Sequence, residues 1–180
     1  MDAGWNGDDL LDEDPARIGA LFAELRAAAT RGRDGARPAC LLALDLDCFR
    51  HHCERYGDAA AGSALCRFAE ILARGLPPAT PAARVGSDKF VALLADTPLS
   101  ASLCLAERVR AAQAEAAGPD RPDLTVSIGV ADAIGLHGES AAAALDRAGA
   151  ALLRAKREGR NRTKVAPPPR PQPSGAGGPG

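Results

Sequence analysis

Asp45 and Asp47 close an apolar run, ACLLALDLD, and Asp88 stands beside Lys89 at the tip of RVGSDKFVALL. Carboxylates brought together from a strand end and a hairpin tip can hold Mg²⁺, which takes hard oxygen ligands and shares them with substrate phosphates. Each acid also has a plainer reading, since Asp45 and Asp47 can simply end a strand and Asp88 can favour a turn. Lys89 is either a tethered cation standing where a metal ion would be or a solvated lysine, the usual state of that residue. Lys156 and Arg160 are spaced for one helix face, although Gly159 interrupts them, and cations at a helix C-terminus also complement its dipole. CFRHHC places Cys48, His51, His52 and Cys53 close in sequence. A structural zinc needs four converging ligands, and adjacent histidines point apart, so a packed helix start is the better reading.

These residues must be carried by elements that the periodicity predicts. Ala16 to Thr30 has Ile18, Phe22 and Leu25 at helical spacing, with Pro15 suited to a first turn. Ala39 to Asp47 is too short for a typical helix and suits a buried strand with acids at its carboxyl end. Asp58 to Gly75 reads as a helix, with Ala61, Leu65, Phe68 and Leu72 on one face. A hairpin follows, Ala83 to Val85 and Phe90 to Ala95, joined by a two-residue turn at Gly86 and Ser87. Ser100 is placed to cap a helix through Ala117, which Gly118 and Pro119 stop. Leu124 to Ala131 is a strand, and Ser140 to Glu158 an alanine-rich helix ended by Gly159. This order predicts an α+β fold: a ferredoxin-like core, with helices flanking a mainly antiparallel sheet. In it the first strand's end and the hairpin tip lie side by side, making Asp45 and Asp88 neighbours.

The chain has 180 residues, 46% of them hydrophobic, enough for one domain with a buried core. Only 3% are aromatic, so helices pack through small side chains. A net charge of −1 gives no general attraction to nucleic acid or to a membrane surface. Five cysteines without a CxxC pair favour neither a disulfide framework nor a zinc ribbon. With no leader or apolar run of membrane-spanning length, a reducing bacterial cytoplasm is the expected compartment. Residues 1–8 are expected to be a flexible N-terminus, 9–165 the folded domain and 166–180 a disordered Pro/Gly-rich tail.

Four separated blocks resemble GGDEF domains, the diguanylate cyclase family. DLDCFRHHCERYG is similar to D-[IL]-D-x-F-K-x-I-N-D-x-x-G, and RVGSDKFVALL to the R-x-G-G-D-E-F hairpin. VSIGVA resembles S-I-G-V-A, and ALLRAKREGRNR resembles A-L-Y-x-A-K-x-x-G-R-N-R. The resemblance implies a nucleotide-cyclase palm-like core that, paired with a second copy, joins two GTP into cyclic di-GMP with two divalent metals, Mg²⁺ being the candidate ion and Lys89 the residue that opposes it. Carried over by position, Asp45 and Asp88 match metal-binding acids and Leu46 the residue lending a backbone carbonyl. Lys156 and Arg160 match the bases that hold GTP phosphates.

Several positions depart from that pattern. Lys89 replaces the signature glutamate, and Ser87 replaces the second signature glycine. The guanine-reading asparagine falls at Cys53 and the later aspartate at Ser63, allowing one extra residue in AAAGS. The product-feedback R-x-x-D would fall on Pro77 to Thr80, which lack both charges. The expectation is a degenerate GGDEF domain without cyclase activity, acting as a regulatory or protein-interaction module in cyclic di-GMP signalling. The alternatives are a weakly active cyclase and a nucleotide sensor that binds GTP without turnover; dimerisation is compatible with all three.

Overall fold

Nine elements form in the order α1 (Pro15–Arg31), β1 (Cys40–Leu46), α2 (Phe49–Gly75), β2 (Ala82–Arg84), β3 (Lys89–Leu94), α3 (Leu99–Ala117), β4 (Val126–Asp132), α4 (Ala141–Arg157) and β5 (Thr163–Val165). The computed structural model describes residues 10–31, 37–78, 80–118, 124–132 and 140–168. The expected N-terminal segment 1–8 and most of the tail lie outside these. Ala166 is buried and donates its amide to Val130 O at 2.7 Å.

The strands make one sheet ordered β2-β3-β1-β4-β5, antiparallel except for the β4–β5 pair. Every residue of β1 is buried, as a central strand covered on both faces requires. Its side chains alternate between two cores. Leu42, Leu44 and Leu46 join Phe68 and Leu72 of α2 and Val109 of α3, while Leu41 and Ala43 join Leu21 and Leu25 of α1 and the alanines of α4. Phe68 and Phe90 meet edge to face, their ring centroids 5.1 Å apart. This is the α+β architecture expected from the sequence.

Local differences have physical causes. Helix α2 begins at Phe49 rather than Asp58, because Cys48 turns the chain with φ 55° straight after the strand. Gly57 (φ 79°, ψ 175°) kinks it, a conformation that glycine tolerates best. The hairpin loop has three residues, Gly86 to Asp88, closed by Val85 N donating to Lys89 O at 2.8 Å. Gly86 is not left-handed there, so no two-residue primed turn forms. The Arg84 guanidinium holds the loop instead, donating to Gly86 O at 3.0 Å, to Ser87 O at 2.8 Å and to Leu11 O. Pro98, not Ser100, occupies the N-cap of α3, whereas Ser140 caps α4 by accepting from Ala143 N at 3.2 Å. Strand β5, three residues on the sheet edge, has no periodic signal in the sequence.

Candidate functional site

Two features of the sheet assemble the site. Leu46 N donates to Asp88 O at 3.1 Å, which fixes the hairpin tip beside the end of β1. In the same ladder Asp45 pairs with Lys89. Directly opposed residues on antiparallel strands share a sheet face, with Cβ atoms about 5 Å apart. The Lys89 side chain therefore leaves the sheet on the same face as the first acid, the side of α1 and α4. From α4, Lys156 reaches down to the same acid, its Nζ 2.5 Å from Asp45 Oδ1. The contact is a close ion pair that both charge and hydrogen bonding support.

Asp45 is 2% exposed. Burial raises its pKa above the ordinary 3.8, Lys156 opposes the rise, Asp88 adds to it and Lys89 opposes it again. The linkage follows from that direction. The folded chain takes up this proton at a higher pH than the unfolded chain. The resulting stabilisation is complete below pH 3.8 and is lost as pH rises through the raised value. Asp45→Asn is therefore expected to raise stability at pH 7, since it removes the buried charge and Lys156, 29% exposed, can return to water. Urea midpoints measured from pH 3 to pH 8 should show that gain vanish in acid.

The remaining predicted residues separate. Asp88 is half-buried and accepts from Ser87 Oγ at 3.1 Å. Cys53 leans on the core beneath α2. Ser63 lies beyond the Gly57 kink, exposed, with its hydroxyl returned to Ala59 O at 2.9 Å, a common back-bond of helical serines. The helix shows no bulge in AAAGS, where the sequence comparison allowed one extra residue; only Gly57 leaves helical geometry. Helix α4 stops at Arg157, and Gly159 (φ 116°), Arg160 (φ 59°) and Asn161 (φ 44°) turn left-handed, so exposed Arg160 does not share a helix face with Lys156. In CFRHHC, His52 is buried between Phe49 and Tyr56, with ring centroids 6.5 and 4.9 Å away, while His51 is exposed. Among the described residues no three His, Cys, Asp or Glu side chains gather as a metal site.

Asp47, which the sequence offers as a strand end, is the polar hub of this region. Fully buried, it accepts from Thr125 Oγ1 and Ser127 Oγ, both at 2.7 Å, and from Asn161 N at 3.0 Å. It thus joins β1, β4 and the turn after α4. The signal was present as two hydroxyls, Thr125 and Ser127, spaced i, i+2 on an otherwise apolar strand.

The site does not fit a centre for two divalent cations. Asp45 and Asp88 supply two negative charges; Lys156 already contacts Asp45 at 2.5 Å, and position 89, paired in register with Asp45, carries a lysine. An acid at position 89 about 4 Å from a cation would attract it by on the order of 4 kcal/mol per unit charge at an effective dielectric near 20, and a lysine there reverses the sign.

A mixed five-stranded sheet with helices on both faces, and acids at the junction of the central strand and a neighbouring hairpin, defines a palm-like nucleotidyl-cyclase class of domain. Within that class, residues 19–162 match the family "Diguanylate cyclase, GGDEF domain", and the chain belongs to it. It is 38% identical over 131 residues to diguanylate cyclase DgcM of Escherichia coli, covering 73% of this chain and 32% of that protein. The chain thus spans about a third of that relative's length. The active GGEEF domain of a Vibrio cholerae diguanylate cyclase superposes with a TM-score of 0.75 at 27% identity, over 83% of this chain and 96% of that one. Diguanylate cyclase SiaD of Pseudomonas aeruginosa, solved with its activator SiaC, gives 0.73 at 29% identity, over 86% and 61%.

Proposed function

We propose that this GGDEF domain makes no cyclic di-GMP and works as a regulatory or protein-interaction module in cyclic di-GMP signalling. The observation that carries this reading is the register pairing of Asp45 with Lys89, reinforced by the 2.5 Å contact of Lys156 with the same carboxylate. In a diguanylate cyclase the divalent metal would neutralise the triphosphate and lower the barrier to attack by the ribose 3′-hydroxyl. Here Lys156 already contacts the first acid, and a lysine stands at the register position paired with it.

Two further losses support the reading. Neither Cys53 nor Ser63 offers the carboxamide or carboxylate that guanine recognition needs, and a site stripped of such partners forfeits discrimination of roughly 10⁴ to 10⁵. In place of a charged feedback motif, Thr80 closes a turn on Pro77 O through its amide at 3.2 Å and its hydroxyl at 2.7 Å. A structural neighbour, diguanylate cyclase SiaD, is solved in complex with a protein, its activator SiaC, which supports a protein-binding role for such a domain.

The purified chain, incubated with GTP and either Mg²⁺ or Mn²⁺, is expected to yield no cyclic di-GMP by mass spectrometry. Product that disappears in Asp45→Ala would establish a weak cyclase instead. Turnover of another nucleoside triphosphate, equally dependent on Asp45, would have the same consequence.

A further inference from the structure

Charge is divided unevenly along this chain. Residues 154–164, RAKREGRNRTK, hold six cations against the single Glu158, a net +5 in a chain of net −1, which leaves −6 on the rest. Residues 8–14, DDLLDED, hold five acids and no base. The fold sends these two segments to opposite edges of one sheet. The acidic one approaches α1 beside the edge strand β2: Leu10 is buried with Ala82, and Leu11 O accepts from the Arg84 guanidinium. The basic one is the end of α4 and the turn into β5, the edge strand on the other side. Four strand spacings of about 4.8 Å put the two edges on the order of 19 Å apart. Leu10 is fixed in the core, and the two residues before it add no more than about 7 Å of reach. The acids of one copy therefore fall short of its own basic segment.

Neither segment is neutralised within the chain. Lys156 contacts Asp45, and Arg154, Arg162 and Lys164 gather round Glu158, but Arg157 and Arg160 are exposed with no ion pair among the described residues. At the other edge Asp14 caps α1 by accepting from Ala16 N at 2.9 Å, while Asp12 and Glu13 are exposed and equally without an ion pair among the described residues. A long polyanion would meet the −6 carried by the rest of the chain, and residues 154–164 offer no aromatic ring for a base to stack on, so nucleic acid suits the basic segment poorly. A short acidic stretch that covers only that segment suits it, and the chain itself carries one. We infer that copies of this chain associate head to tail, the acidic edge of one against the basic edge of the next. Each contact leaves one edge of either kind free, so the contact can repeat. Exposed ion pairs contribute little individually, so the association is weak and salt-dependent. It needs neither nucleotide nor metal, and it stands apart from the regulatory reading because it is measured without GTP.

Sedimentation velocity of the full chain over a range of concentrations, in about 0.02 M and about 0.5 M salt, tests it. The sedimentation coefficient is expected to climb with concentration at low salt, past that of a dimer, and to stay at the monomer value at high salt. Asp12→Lys with Glu13→Lys takes the acidic segment from −5 to −1, and Arg157→Glu with Arg160→Glu takes the basic one from +5 to +1. Each double variant alone should associate at least about tenfold more weakly than wild type. Their equimolar mixture, which keeps one intact edge of each kind, should regain association but stop at one-to-one pairs. All four positions are exposed, and circular dichroism matching wild type shows that both variants are folded. Wild type that stays monomeric at low salt, association unchanged by salt, or folded variants that do not pair on mixing would overturn the inference.

Discussion

Gly129→Ala is expected to destabilise the domain by about 3 kcal/mol or more, lowering the melting temperature by roughly 6 to 12 °C. A Cβ built on Gly129 would lie 2.1 Å from Ala148 O and 2.4 Å from Leu152 N. Both are backbone atoms of α4, so no side-chain rotation relieves the clash. The reason lies in composition: a helix that faces the sheet with alanine settles onto the strand until backbone meets backbone, and β4 must then be bare beneath it. Moving α4 outward would uncover Ala144, Ala148 and Ala151 and draw Lys156 from Asp45. The same change on the helix, Gly149→Ala, meets nothing within 4 Å and should instead gain about 1 kcal/mol from helix propensity. Chemical denaturation of the two variants side by side separates close packing from glycine's general cost.

Asp47→Ala should be of similar size, about 4 kcal/mol, for a different reason. Removing the carboxylate strips partners from two buried hydroxyls and one backbone amide, and each orphaned donor costs about 1 to 3 kcal/mol, with hydroxyl rotation recovering part. Asp47→Asn keeps the shape and one acceptor oxygen, so it should fall between wild type and Ala. The effect should be local before it is global: hydrogen exchange at the Asn161 amide is expected to accelerate in both variants. That turn joins α4 to β5, so its loosening should reach the sheet edge and the residues beyond Lys156.

How much of this was legible in the sequence follows from what each signal encodes. The β1 run and the apolar half of the hairpin are buried on both faces, and the continuity of ACLLALDLD is the direct trace of such burial; the neighbouring of Asp45 and Asp88 followed from topology. The charge reversal at Lys89 was readable from the signature, and the register then put it opposite Asp45. What escaped depends on distant partners. Arg84 reads as an ordinary strand end, yet it holds the hairpin tip through three carbonyls. Asp47 gains its role only when residues 78 and 114 positions away close around it. Strand β5 exists because α4 returns the chain beside β4, not because Thr163 to Val165 has a strand pattern of its own. The expected cap at Ser100 lost to Pro98, whose preset φ opens the helix two residues earlier.

The central claim is electrostatic, that ammonium groups stand where a cyclase would hold divalent cations, and electron paramagnetic resonance of Mn²⁺ tests it most directly. With wild-type protein and GTP, the free-ion signal should remain at the level of GTP alone, whereas Lys89→Glu, which restores a third carboxylate beside Asp45 and Asp88, should draw the ion down. Wild-type protein that sequesters Mn²⁺ as well as Lys89→Glu does, and loses it on Asp45→Ala, would contradict the account.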